Sequence, residues 1–394
     1  MKRTAAALMM LVSSVLSMQT WGRASGFPED PGTVVVTKRA VTIFVGFDTR
    51  TPAGLIPFVR CDLYEPKLFG KWPVVQIQPG TATNREYMTG WGFRLATHGA
   101  IVFVCERRTS VDQLAADALT HGGVGRTYAG DTVGDFTQRL TAEDQLRVLR
   151  WAIRQGHIQS SPLFARVYET RLGLLGYSSG GQTTALATAM SRTEGPHLAA
   201  TGLLDPGDLV PPTPLDDDSS AHAASSFDTP TVLVTSDGDP PVFCDQSRGR
   251  SCVLTGDEVW AALPAGLAKF GLRIVGMQHG DVAPDPPTCT YSTLLDPAAY
   301  RLDRIIGKTT GMAGTLCGDV PPDIAEHTRL MKRFSLAFLE LFLECDPNAL
   351  DYVNGSATQT EVANGKILVL AGSSTFPGLP SSCGSGPSIT FRRS

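Results

Sequence analysis

The chain has 394 residues, of which 42% are apolar and 18% charged, with a formal net charge of −4. That balance suits a globular protein with a substantial core, and it excludes disordered and fibrous classes. A slightly acidic chain carries no basic footprint for nucleic acid or for an anionic membrane surface.

The N-terminus reads as an export signal. Lys2 and Arg3 precede the apolar run TAAALMMLVSSVLSM, and WGRAS offers small residues for cleavage near Ala24. Residues 1–24 are therefore expected to be a signal peptide, and the mature protein to be secreted or periplasmic. No later run is long enough to span a bilayer. The eight cysteines are 61, 105, 244, 252, 289, 317, 345 and 383. None form a C-x-x-C pair or a His-Cys cluster with zinc spacing. In an exported chain an even count favours disulfides. Pairs 244–252, 289–317 and 345–383 close short loops, while Cys61 and Cys105 lie in strand-like runs where free buried thiols are equally natural.

In chain order, TVVVTK from 33, VTIFVGF from 41 and GLIPFVRCDLY from 54 predict short leading strands. PVVQIQ (73–78), AIVFVCE (100–106), RLGLLGY (171–177), ATGLLD (200–205), TVLVTSD (231–237) and LRIVGMQ (272–278) are compact runs apolar on both faces. Such runs predict parallel strands covered by helices. Helices are expected in REYMTGWGFRLATHG, TAEDQLRVLRWAIRQG, residues 179–192, GDEVWAALPAGLAKFG up to Pro264, and 322–345. The alternation predicts an α/β fold, a mostly parallel doubly wound sheet led by antiparallel strands. One catalytic domain is expected over 30–346, followed by a Gly/Ser-rich extension (347–394) with two strand-like pieces, KILVLAG and SITFRR. Segments 107–138 and 284–321 read as insertions bordering a cleft. DDDSS (216–220) reads as a solvated loop.

The stretch GLLGYSSGGQ (173–182) contains Gly176-Tyr177-Ser178-Ser179-Gly180. A buried run precedes it and a small-residue helix follows, the strand–turn–helix setting of a nucleophile elbow. Ser178 is then the expected nucleophile, and it needs a base. In this setting the order is Ser, acid, His. His98, His121 and His157 precede Ser178, His197 follows it too soon, His222 lies in a polar loop and His327 lies on the last helix. His279, in GMQHGD after the last core strand, is the expected base. For the acid, Asp239 in TSDGDPP is preferred because it lies just past a strand end. Asp237 is nearer the strand, and Asp205 ends the preceding strand. The N–H groups of Ser179 and of Thr81, in the loop QPGTATN, are the expected oxyanion donors. No metal or cofactor is implied.

The block QPGTATNREYMTGWGFRLATHGAIVFV resembles the oxyanion loop, helix and strand of bacterial cutinase-like polyester hydrolases. SSPLFARVYETRLGLLGYSSGG is similar to their approach to the elbow, and MKRFSLAFLELFL to their last helix. The same blocks resemble the platelet-activating-factor acetylhydrolase, chlorophyllase and dienelactone hydrolase branches of the α/β-hydrolases. The resemblance implies that fold and ester hydrolysis, with Ser178 as nucleophile, Asp239 as acid, His279 as base, and Thr81 and Ser179 as oxyanion donors. Those polyester hydrolases carry an aromatic at the position of Thr81, Met at that of Ser179 and Trp near Asp205. LLDPGD instead resembles the chlorophyllase and acetylhydrolase branches. The expected partner is a small-molecule or lipid-like ester, with the protein acting as a monomer.

Overall fold

The computed structural model describes residues 30–46, 57–80, 85–108, 127–128, 131–207, 219–236, 255–277, 279, 322–374 and 383. Its framework is a nine-stranded sheet in the order β1-β2-β4-β3-β7-β8-β9-β10-β11. The six central strands are parallel: β4 (Ile101–Cys105), β3 (Trp72–Gln78), β7 (Val167–Tyr177), β8 (Ala200–Leu204), β9 (Thr231–Ser236) and β10 (Lys269–Ile274). β1 (Val36–Phe44) and β2 (Phe58–Pro66) form an antiparallel pair joined antiparallel to β4. β11 (Ile367–Val369) completes the sheet at the other edge, and β5 (Thr127–Tyr128) and β6 (Asp131–Thr132) make a small separate ribbon. This is the α/β architecture expected from the sequence, and its arrangement is α/β-hydrolase-like.

The runs apolar on both faces explain the parallel centre. Every residue of β4, β8 and β9 is buried, because side chains alternate between two cores. Ile101, Phe103 and Cys105 face one core, with Leu146, Leu149, Ala185 and Val259 from α2 (Val133–His157), α3 (Ser179–Glu194) and α5 (Thr255–Ala262). Val102 and Val104 face the other, with Trp91 and Leu95 from α1 (Thr89–His98) and Phe334 and Phe338 from α6 (Pro322–Leu339). A short α4 (Ser220–Ser225) adds Ala223 and Ala224 to the first core, its N-terminus capped by the Ser219 hydroxyl accepting from His222 N–H.

Some boundaries differ from those expected. TVVVTK and VTIFVGF form one strand, β1, rather than two. α2 begins at Val133, so the last residues of the expected insertion are helical. The extension is more ordered than its composition suggested. α7 (Leu350–Asn354) and α8 (Ser356–Ala363) precede β11 (Ile367–Val369), the strand of KILVLAG, which pairs antiparallel with β10 and closes that side of the sheet. SITFRR, residues 1–24, residues 284–321 and most of DDDSS lie outside the described residues.

Among the described residues there are two disulfides. Cys345–Cys383 is the expected short-range pair. Cys61–Cys105 is bonded too, which corrects the free-thiol alternative: β2 and β4 are antiparallel neighbours, and their register sets the two residues directly opposite each other. The other four cysteines lie outside the described residues. Bridges closing loops of this size stabilise by about 2–4 kcal/mol each. Reduction is therefore expected to lower the thermal midpoint, and a thiol titration of unfolded, unreduced protein to find no more than four reactive cysteines, since two bridges occupy four of the eight. Eight reactive thiols would overturn both pairings. Among the described residues no helix is long and apolar enough to cross a membrane.

Candidate functional site

The chain leaves β3 toward β4 on one side of the sheet, and from β7 it proceeds to β8 on the other. β3 and β7 are neighbours, so the strand order reverses between them, and it is outside the carboxyl ends at such a point that ligands of open α/β sheets bind. Ser178 stands at this point. It follows β7 directly, with φ 57° and ψ −129°, a backbone conformation that few non-glycine residues adopt. The turn is held from several sides. Ser178 N–H donates to the Leu204 carbonyl at 3.0 Å, while the Ser178 carbonyl accepts from Gly181, Gln182 and Gly207.

The two glycines of the motif are explained by contact. A Cβ on Gly176 would lie 2.1 Å from the Gly180 carbonyl oxygen, and one on Gly180 would lie 2.3 Å from that of Gln78. The turn is thus packed against the end of β3 with no room for a side chain at either place.

His279 Nε2 lies 2.8 Å from Ser178 Oγ, and His279 Nδ1 lies 2.7 Å from Asp205 Oδ2. An ionised carboxylate only accepts, so Nδ1 carries the hydrogen, Nε2 is the acceptor and the serine hydroxyl donates to it. Asp205 Oδ1 accepts from both the backbone N–H (2.9 Å) and the hydroxyl (3.0 Å) of Ser236 at the end of β9. Each carboxylate oxygen therefore has its own fixed partner.

The His279 ring has a second support. Tyr177 stacks on it with centroids 5.4 Å apart and planes 25° apart, and Tyr87 stacks on the far face of Tyr177 at 6.1 Å. The Tyr177 hydroxyl donates to the His279 backbone carbonyl. Tyr177 stands at a variable position of the Gly-x-Ser-x-Gly spacing, and its part in holding the histidine needs the fold to be seen.

The structure thus brings His279 onto Ser178, with Ser179 next to it at the start of α3. At the acid position, Nδ1 of His279 is met by Asp205, the alternative at the end of β8; the preferred Asp239 lies outside the described residues together with Asp237. The reason is topological. β8 is the direct neighbour of β7, so its first residue beyond the strand lies beside the elbow, and a φ of 41° at Asp205 ends the strand there. The carboxylate is then caught by Ser236 and His279 together. The signal in the sequence is LLD itself, a carboxylate ending a wholly buried strand next in sequence to the elbow helix.

Ser179 is the first residue of α3, so its backbone N–H is one of those a helix leaves at its N-terminus, where negative charge is favoured. Thr81 lies outside the described residues, but Gly80 is placed: a Cβ there would lie 2.9 Å from Ser178 Cβ, so the loop after β3 passes directly against the serine. Among the described residues no cluster of His, Cys, Asp or Glu has the makings of a metal site. The arrangement can transfer a proton from Ser178 Oγ to His279 while Asp205 stabilises the imidazolium.

No protein-family model matches the chain, and a search of the curated proteins returns no match.

Proposed function

We propose that the protein is a secreted serine hydrolase that cleaves carboxylic esters through an acyl-enzyme. The observation that carries this reading is the hydrogen-bonded chain Ser178–His279–Asp205, with the serine raised on a positive-φ turn at the carboxyl ends of the parallel strands.

In the first half-reaction Ser178 Oγ attacks the ester carbonyl carbon and its proton passes to His279 Nε2. The carbonyl oxygen becomes an oxyanion facing the Ser179 N–H and the loop that begins at Gly80. Collapse of the tetrahedral intermediate breaks the C–O bond, and His279 returns the proton to the leaving alcohol. In the second half-reaction water attacks the acyl carbon with His279 again as base, releasing the acid and restoring Ser178. The steps use protein groups and water.

The resemblance to cutinase-like enzymes does not extend to a ring clamp among the described residues. Trp91 is wholly buried in the core and Tyr177 is buried under His279, so neither offers a stacking surface to substrate. Soluble short- to medium-chain acyl esters are the favoured substrates over aromatic polyester film. The leading signal-like segment and the two disulfides support an exported protein.

The test is turnover of p-nitrophenyl butyrate beside the matching anilide, together with labelling by a fluorophosphonate probe and peptide mapping. Ester turnover far above anilide turnover, with the label on Ser178, is the expected result. Faster anilide cleavage would make the protein an amidase of the same fold. Absence of both label and turnover would leave a binding protein.

A further inference from the structure

We propose that Arg107 is a positioning residue for the oxyanion side of this centre, acting through the hydroxyl of Ser179; the inference rests on the ester-hydrolase reading. Arg107 lies two residues beyond β4, and its side chain is buried. Its Nη2 donates to Ser179 Oγ at 2.8 Å and to Gln138 Oε1 on α2 at 3.3 Å. Ser179 is itself only 1% exposed.

The geometry gives this contact leverage. Ser179 Oγ is separated from its own backbone nitrogen by two carbons and one staggered torsion, so holding the hydroxyl restrains the peptide that carries the oxyanion donor. The next residue, Gly180, packs so closely on the end of β3 that a Cβ there would lie 2.3 and 2.4 Å from the carbonyl oxygens of Gln78 and Pro79. Arg107 therefore closes a clamp on the start of α3, with the end of β3 as its other jaw. The segment that carries Arg107 is anchored in turn. The next residue, Arg108, makes a bidentate pair with Asp144 on α2, at 2.6 and 2.7 Å.

A cavity of about 10 Å³, bordered by Gln76, Gln78, Arg107, Thr141 and Gln145, lies behind the clamp. It has room for about one water. Shortening Arg107 would enlarge it toward Ser179, admit water and weaken a donor that works best in a dry, fixed setting. A small displacement of a reacting group costs on the order of 100-fold in rate. The chain has Ser at the position after the nucleophile, and a hydroxyl there is what lets a guanidinium take hold.

The experiment uses full-length protein carrying Arg107→Met, Arg107→Lys, Ser179→Ala, and the Arg107→Met/Ser179→Ala pair, assayed on p-nitrophenyl butyrate. Arg107→Met and Ser179→Ala are each expected to lower kcat by about 10- to 100-fold with KM within about twofold, since ground-state binding does not depend on the oxyanion donor. The double variant is expected to be no worse than Arg107→Met alone, because both changes remove one contact. Arg107→Lys should recover part of the loss. Should Arg107→Met fail to fold, Ser179→Ala, which deletes a single oxygen, carries the test. Unchanged kcat in Ser179→Ala, or additive losses in the pair, overturns the inference while leaving the hydrolase reading intact. Wild-type protein that neither turns over ester nor labels at Ser178 overturns both.

Discussion

Ser178→Ala is expected to lower ester turnover by about 10⁶-fold, the loss typical when a triad nucleophile is removed. The fold should survive it. The strained turn is held by main-chain bonds, from Ser178 N–H to Leu204 and from Gly181, Gln182 and Gly207 to the Ser178 carbonyl, none of which involves the hydroxyl. Alanine meets the same backbone demand as serine at a φ of 57°. The variant should therefore melt close to wild type, bind substrate, and refuse the fluorophosphonate label. A variant that retains activity within tenfold of wild type would falsify the assignment of Ser178 as nucleophile.

Much of this centre is legible before any coordinates. Gly176 and Gly180 flank Ser178 because contacts of 2.1 and 2.3 Å forbid a Cβ at either place, and that steric demand writes itself directly into the sequence. The parallel strands are equally plain, since burial on both faces leaves no polar alternation in β4, β8 or β9. What local sequence does not carry is sheet order. Nothing near Cys61 or Cys105 says that β2 and β4 are neighbours in a register that opposes them, so the bridge was not visible. Likewise Arg107 and Ser179 are 72 positions apart, and only the sheet order, which leaves β3 alone between β4 and β7, brings them together. The acid is the instructive case. TSDGDPP offers two carboxylates past a strand end, whereas LLDPGD offers one residue whose value depends on β8 lying beside β7.

Asp205→Asn and Asp239→Asn therefore make a decisive pair. Asp205→Asn is expected to cost about 10⁴-fold in kcat, the scale seen when a triad carboxylate becomes an amide. The reasoning follows the hydrogens. The asparagine oxygen can keep the two bonds from Ser236, which hold Oδ1 at 2.9 and 3.0 Å, so its amide nitrogen is turned toward His279 Nδ1. A donor there makes Nδ1 an acceptor and moves the ring hydrogen to Nε2. Nε2 then faces Ser178 Oγ across 2.8 Å with a hydrogen of its own and no lone pair to receive the serine proton. The negative charge that stabilises the imidazolium is lost as well. Substitution by Asn rather than Ala keeps the buried Ser236 N–H bonded, so the loss reads as catalysis and not as unfolding. Asp239→Asn is expected to stay within about threefold of wild type, the scatter of a change that leaves the proton path alone. The measurement is kcat on p-nitrophenyl butyrate with thermal midpoints in parallel. If the large loss falls on Asp239→Asn instead, the acid belongs to the loop after β9, and Asp205 is a strut that ties β8 to Ser236.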